Sequence, residues 1–153
     1  LTGAHPGELF IVRCLGALVS PLGEENLPAE AAAVEYAVGV LGVRNVIVCG
    51  HSQCGAIKAI KNNHVPEGCA NLERWLAGIT QASGEISNYL ELDDAARAVT
   101  VRQLANLKQF PAVAEPLADG RLKLMAWFYD VGKADLFEWD EATHTFRVLA
   151  DHP

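Results

Sequence analysis

His51 and Cys54 are the residues whose types and spacing come nearest to chemistry. They lie in VCGHSQCGAIKAI, residues 48–60, which runs from an apolar segment through Gly50, His51, Cys54 and Gly55 into a helical pattern. A neutral imidazole and a thiolate three positions apart make half of a mixed nitrogen and sulfur set. Zinc accepts such a set in tetrahedral geometry, and a catalytic zinc takes three protein ligands and leaves a fourth position open. Cys54 falls in the first turn of the following helix, where unpaired backbone N–H groups and the helix dipole favour a thiolate. The plainer alternative is a structural cysteine beside a histidine that caps a helix.

The remaining donors are less well placed. Cys49 lies inside the apolar segment and reads as a small core residue. Cys69 and His64 fall in the loop NNHVPEGC, a helix length beyond His51, and His5, His144 and His152 are scattered. Cys14 closes an earlier apolar run and is the other thiol whose position suits a crevice shared with His51, although a core role is the simpler expectation. Four cysteines in 153 residues do not resemble a secreted disulfide framework. Free thiols in a reducing, cytoplasmic setting are the better reading.

The elements that must position these residues follow from the pattern. ELFIVRC, residues 8–14, bounded by Pro6-Gly7 and Gly16, predicts a buried strand. Residues 20–28 predict a loop by their Pro, Gly and Asn content. Residues 29–41 predict a helix with Val34, Ala37, Val38 and Leu41 on one face, stopped at Gly42. Residues 44–50 predict a second buried strand, which makes a βαβ unit with a right-handed crossover. Helices are predicted from 53 to 61, 71 to 81 and 92 to 109, and a short one opens near Pro111 and ends at Gly120. RLKLMAWFYDV and LFEWD predict strands, possible hairpin partners around Gly132, and TFRVL a further short strand. The expected class is α/β, with a mainly parallel sheet flanked by helices in one domain spanning 1–153. In such sheets ligands gather at the carboxyl ends of the strands, which is where His51 and Cys14 would fall.

Composition narrows the function. A formal net charge of −7, from 19 acidic and 12 basic residues, argues against nucleic acid, which needs a basic stripe. No apolar run approaches the ~18 residues that would span a bilayer, so no membrane insertion is expected. The first residues carry no secretory pattern, and the chain lacks an initiating Met, which points to a removed start.

PGELFIVRCLGALVSP, the Glu35-Tyr36-Ala37-Val38 helix and Gly50-His51-Ser52-Gln53-Cys54-Gly55 together resemble the β-class carbonic anhydrases, especially the bacterial and cyanobacterial branch. The likeness continues through NLKQFPAVAEPLADGRLKLMAWFYDVGKADLFEWD and so covers nearly the whole chain. It implies a zinc held by one His and two Cys, with His51 and Cys54 matching the last two ligands. The first family ligand belongs to a Cys-x-Asp-x-Arg motif upstream of the point that matches Leu1, and no such string occurs here. The first family strand and the catalytic Asp and Arg are therefore expected to be missing, by truncation ahead of genuine loss. Cys14 is a possible replacement for the absent thiolate.

By the same resemblance, Phe10 and Tyr36 match residues lining an apolar substrate pocket, and Gly55 matches a backbone N–H donor near the substrate. Arg13 matches an arginine that in some relatives serves a non-catalytic bicarbonate site. Two departures stand out: the family's Arg-Asn-Ala-Gly-Asn is here Arg13-Cys14-Leu15-Gly16-Ala17, and the usual His-Gly before the later Trp is Met125-Ala126. The implied activity is zinc-dependent reversible hydration of carbon dioxide to bicarbonate, in a cytoplasmic homodimer or larger homo-oligomer, with a carbon-fixing compartment as one possible setting. The rivals are a catalytically silent binding or scaffold domain and a relative acting on carbon disulfide or carbonyl sulfide.

Overall fold

The computed structural model of the protein describes residues 2–20, 29–83 and 85–149. Helix α1 (Ala29–Glu35) runs directly into a wider π-helical winding, Tyr36–Val40, closed where Leu41 N–H donates to the Tyr36 carbonyl at 3.0 Å. Gly42, at φ +66°, then turns the chain into strand β1 (Asn45–His51). Four helices follow: α2 (Gly55–Asn62), α3 (Ala70–Ser83), α4 (Leu92–Leu107) and α5 (Pro111–Ala118). Strands β2 (Lys123–Asp130), β3 (Asp135–Asp140) and β4 (Thr145–Val148) complete the order.

The sheet runs β1-β2-β3-β4. β1 and β2 are parallel, with Asn45 opposite Lys123 and His51 opposite Tyr129; the β2–β3 and β3–β4 pairs are antiparallel. The α/β class stands, but the expected parallel majority does not: among the described residues one pair is parallel and two are antiparallel. The short links at 131–134 and 141–144 explain this, because such connections allow hairpins while a parallel pair needs a long crossover. That crossover joins β1 to β2 through four helices, one step later in the chain than expected.

The predicted strand at 8–14 is absent. Those residues form no regular element, and Leu9, Phe10, Ile11 and Val12 are 46, 47, 67 and 40% exposed. Apolar composition gives a segment the propensity to become a strand, but a strand exists only by pairing, and this segment has no ladder partner among the described residues. The outer edge of β1 is likewise unpaired there. The chain enters the core at Leu18 and Val19, where side chains hold the Val19 backbone as a neighbouring strand would. Val19 N–H donates to Gln103 Oε1 at 2.9 Å, and Asn106 Nδ2 donates to the Val19 carbonyl at 3.3 Å. The loop expected over 20–28 lies outside the described residues except for Ser20, whose hydroxyl donates to Glu30 Oε1 at 2.6 Å.

α4 organises the interior. Its first half contributes Ala95, Ala96 and Val99 to a cluster with Leu18, Cys54, Ile57, Leu76, Ile86 and Phe128. Its second half places Leu104 and Leu107 in another cluster with Val19, Val38, Val48, Phe110, Val113, Leu122 and Ala126. Between them Gly50 meets Thr100 so closely that a β-carbon at Gly50 would overlap the threonine hydroxyl. Only glycine lets α4 lie this near the carboxyl end of β1.

Candidate metal centre

β1 delivers His51 as its last residue and α2 opens at Gly55, so Ser52, Gln53 and Cys54 form the turn between them. Hydrogen bonds from two directions fix it. Ser52 N–H donates to the Tyr129 carbonyl at 2.9 Å and Val131 N–H donates to Ser52 Oγ at 2.9 Å, which ties the turn to the end of β2. Gln53, left-handed at φ +55°, donates its N–H to Asp93 Oδ1 on α4 at 2.8 Å. Cys54 then precedes α2 at φ −63°, ψ 117°, and its carbonyl accepts Lys58 N–H at 3.0 Å.

The two donors differ in setting. His51 is exposed, and its Nδ1 lies 2.9 Å from the Ser52 carbonyl oxygen. A carbonyl only accepts, so Nδ1 carries the proton and Nε2 keeps its lone pair. A ligating imidazole is prepared in this way, by a second partner that fixes its tautomer. Cys54 is 4% exposed, with its side chain in the α4 cluster below the turn. The donor chemistry of this pair fits zinc. The set stops at two, however: among the described residues no group of three or more His, Cys, Asp or Glu side chains is placed to hold a metal ion.

Cys14 does not supply the third member there. It ends a coil rather than a strand, half-buried just before the tight turn Leu15–Ala17. Burial, and then the negative charge of Glu30, push its thiol up from the ordinary range, which favours the protonated form over a thiolate. Burial raises the Cys49 thiol similarly, consistent with its place in β1. Cys69 is exposed, and all four cysteines are free thiols.

Phe10 and Tyr36 come together, with ring centroids 6.1 Å apart and planes tilted by 41°. Both are about half exposed, Arg13 is exposed, and Gly55 opens α2 at the surface. A groove of about 850 Å³ between α4 and the β3–β4 hairpin, walled in part by Arg97, Lys108, Phe137, Trp139 and Phe146, includes none of these residues. Ser52 and Asp93 are the members of the site that sequence reasoning passed over. The serine lies inside the quoted motif, whereas nothing in the sequence around Asp93 ties it to a turn 40 positions away.

The family description "Carbonic anhydrase" matches residues 1–136. The chain belongs to the β-carbonic anhydrase family. It is 38% identical over 159 residues to a carbonic anhydrase of Pseudomonas aeruginosa, covering 100% of this chain and 72% of that protein. A carbonic anhydrase of Synechococcus elongatus is 35% identical over 147 residues, with 90% of this chain covered and 53% of the relative. Among solved structures, the β-carbonic anhydrase CcaA superposes with a TM-score of 0.85 at 30% identity, over 97% of this chain and 70% of that one. The β-carbonic anhydrase fold is therefore shared across almost all of the chain. Among the described residues, no helix is long and apolar enough to cross a membrane.

Proposed function

We propose that the protein is a zinc-dependent carbonic anhydrase catalysing the reversible hydration of carbon dioxide, in which His51 and Cys54 are two of the metal's ligands. The observation that carries this is the His51–Cys54 turn itself. One backbone turn presents an imidazole whose tautomer is fixed by Ser52 and a thiol at the mouth of a helix, in a chain of this family. Bound zinc would supply Lewis acidity, bringing the pKa of a water to roughly 7, the value known for the all-histidine enzyme.

The chain's own residues would do the rest. His51 Nδ1–H would hold the ring on the Ser52 carbonyl and aim Nε2 outward. Phe10 and Tyr36 offer an apolar surface suited to carbon dioxide, which has no net dipole for a polar site to grip. The Gly55 N–H, unpaired within the first turn of α2, would donate to a product oxygen. Arg13 is exposed and free to attract bicarbonate. A homo-oligomer, cytoplasmic in location, is part of the same proposal. It is supported by the exposed apolar side chains at Leu9–Val12, Tyr36 and Val40 and by a structural relative, a tetrameric β-carbonic anhydrase of Sordaria macrospora, 25% identical with a TM-score of 0.68.

The shortfall of donors favours a second reading, a catalytically silent domain of the same fold. Zinc per chain, measured by elemental analysis on these 153 residues purified without added metal, together with stopped-flow carbon dioxide hydration, separates the two. The proposed enzyme predicts bound zinc and carbon dioxide hydration, both lost in His51→Ala and in Cys54→Ser. Zinc that survives both substitutions would remove the site assignment, and a chain with neither zinc nor hydration would favour the silent domain.

A further inference from the structure

We propose that Asp93 is a positioning residue for the metal-binding turn, acting through the backbone of Gln53 to set the relation between His51 and Cys54. Its bearing on a metal rests on the zinc reading above; the clamp itself does not.

The turn needs such a clamp. Gln53 sits at φ +55°, a region where a side chain crowds its own backbone and which non-glycine residues adopt only when their surroundings insist. Its N–H points to Asp93 Oδ1 at 2.8 Å, across 40 positions of sequence. A carboxylate acceptor makes this a charge-assisted bond, stronger than the neutral bonds that hold Ser52. Asp93 is itself well placed to act as a clamp. It is half-buried in the first turn of α4, while the neighbouring Asp94 takes the ion pair with Arg97 at 3.3 Å.

The two anchors divide the work. β2 holds Ser52, and therefore the residue whose carbonyl orients His51. α4 holds Gln53, the residue immediately before Cys54. Without Asp93 the strained residue loses the bond that offsets its conformation. Gln53 can then relax toward ordinary backbone, carrying Cys54 away while His51 stays with Ser52. The fold need not suffer, because Cys54 remains the start of α2. The ligand spacing would.

The test uses the whole 153-residue protein and three variants: Asp93→Ala, Asp93→Asn, which keeps an acceptor oxygen, and Asp93→Ala combined with Gln53→Gly, which removes the strain. Amide hydrogen exchange followed by NMR reads the clamp without metal. In Asp93→Ala we expect Gln53 to exchange roughly tenfold faster, the scale of one hydrogen bond to a charged group, with Ser52 and Val131 unchanged and partial recovery in Asp93→Asn. Cobalt(II) titration, followed by the thiolate charge-transfer band, reads the consequence. The dissociation constant should rise about 10- to 100-fold in Asp93→Ala, as for other residues behind a metal ligand, and recover in part in the double variant. Unchanged exchange at Gln53, or equal loss at Ser52 and Val131, would overturn the proposal. So would an unchanged cobalt affinity alongside faster Gln53 exchange. A wild-type protein that binds no cobalt would instead sink the zinc reading, and the exchange data alone would then decide the clamp.

Discussion

Leu9-Phe10-Ile11-Val12 and Val46-Ile47-Val48-Cys49 are both four-residue apolar runs, and as sequence they promise the same thing. The first is exposed coil; the second is the centre of β1, with Val48 only 7% exposed. The difference lies outside both runs. β1 has β2 alongside it for all seven of its residues and α4 across one face, while the first run has no paired strand among the described residues and meets a helix only where Phe10 touches Tyr36. A hydrophobic run states a capacity, and its neighbours decide whether the capacity is used. The catalytic-looking turn inherits its order from the second region, since its anchors are the end of β2 and the start of α4.

The contrast can be broken most severely at Phe128, which is fully buried opposite Gly50, with Arg97 stacked 4.4 Å from its ring centre and Phe146 edge-on at 6.0 Å. Phe128→Ala should cost about 3–5 kcal/mol, as other deletions of buried aromatic rings do, and chemical denaturation will measure it. A smaller effect is expected from Gly50→Ala, roughly 1–3 kcal/mol from forcing a methyl group into the contact with Thr100. Adding Thr100→Ala should return part of that loss, and a double variant no more stable than the single one would show that the close approach is not what Gly50 secures. In the isolated chain Ile11→Ser should move stability by no more than about 0.5 kcal/mol, as at other exposed positions. A larger loss in the same denaturation experiment would mean that the first run is covered in solution, as it would be in the proposed homo-oligomer, and would erase the distinction between the two regions.

Much of the fold could be read from local pattern. β1, the β2–β3 hairpin and the short β4 announced themselves as apolar runs cut by turn residues, and α4 as a long segment with Val99, Val101, Leu104 and Leu107 among polar positions. The misreadings at the start of the chain turned on partners distant in sequence. Nothing near residues 8–14 says whether a strand will lie beside them. Nothing in Gln103 or Asn106 says that their amides will hold the backbone of Val19 from 84 and 87 positions away. The π-helical winding at Tyr36–Val40 was hidden for a different reason, since its residues keep an ordinary helical apolar face and only the spacing of the backbone bonds changes.

The candidate site divides in the same way. His51 and Cys54 could be read together because both come from one turn, where sequence spacing is nearly spatial spacing. Cys14 was misplaced because its position depended on a strand that did not form. Asp93 was invisible as a partner of Gln53 because an acidic residue opening a helix needs no further explanation.

The parallel pairing of β1 with β2 also has a consequence during synthesis. Asn45 finds Lys123, and His51 finds Tyr129, only after the whole four-helix crossover has been made. Helices can form as soon as they leave the ribosome, but β1 must wait for about eighty further residues before its first strand partner among the described residues exists. Contacts so distant in sequence are slow to close, and at synthesis rates of ~5–20 residues per second the delay lasts several seconds. Throughout that interval Val46, Val48 and the neighbouring apolar run at 9–12 stand open together. The crossover therefore sets how long the nascent chain must carry β1 without its ladder.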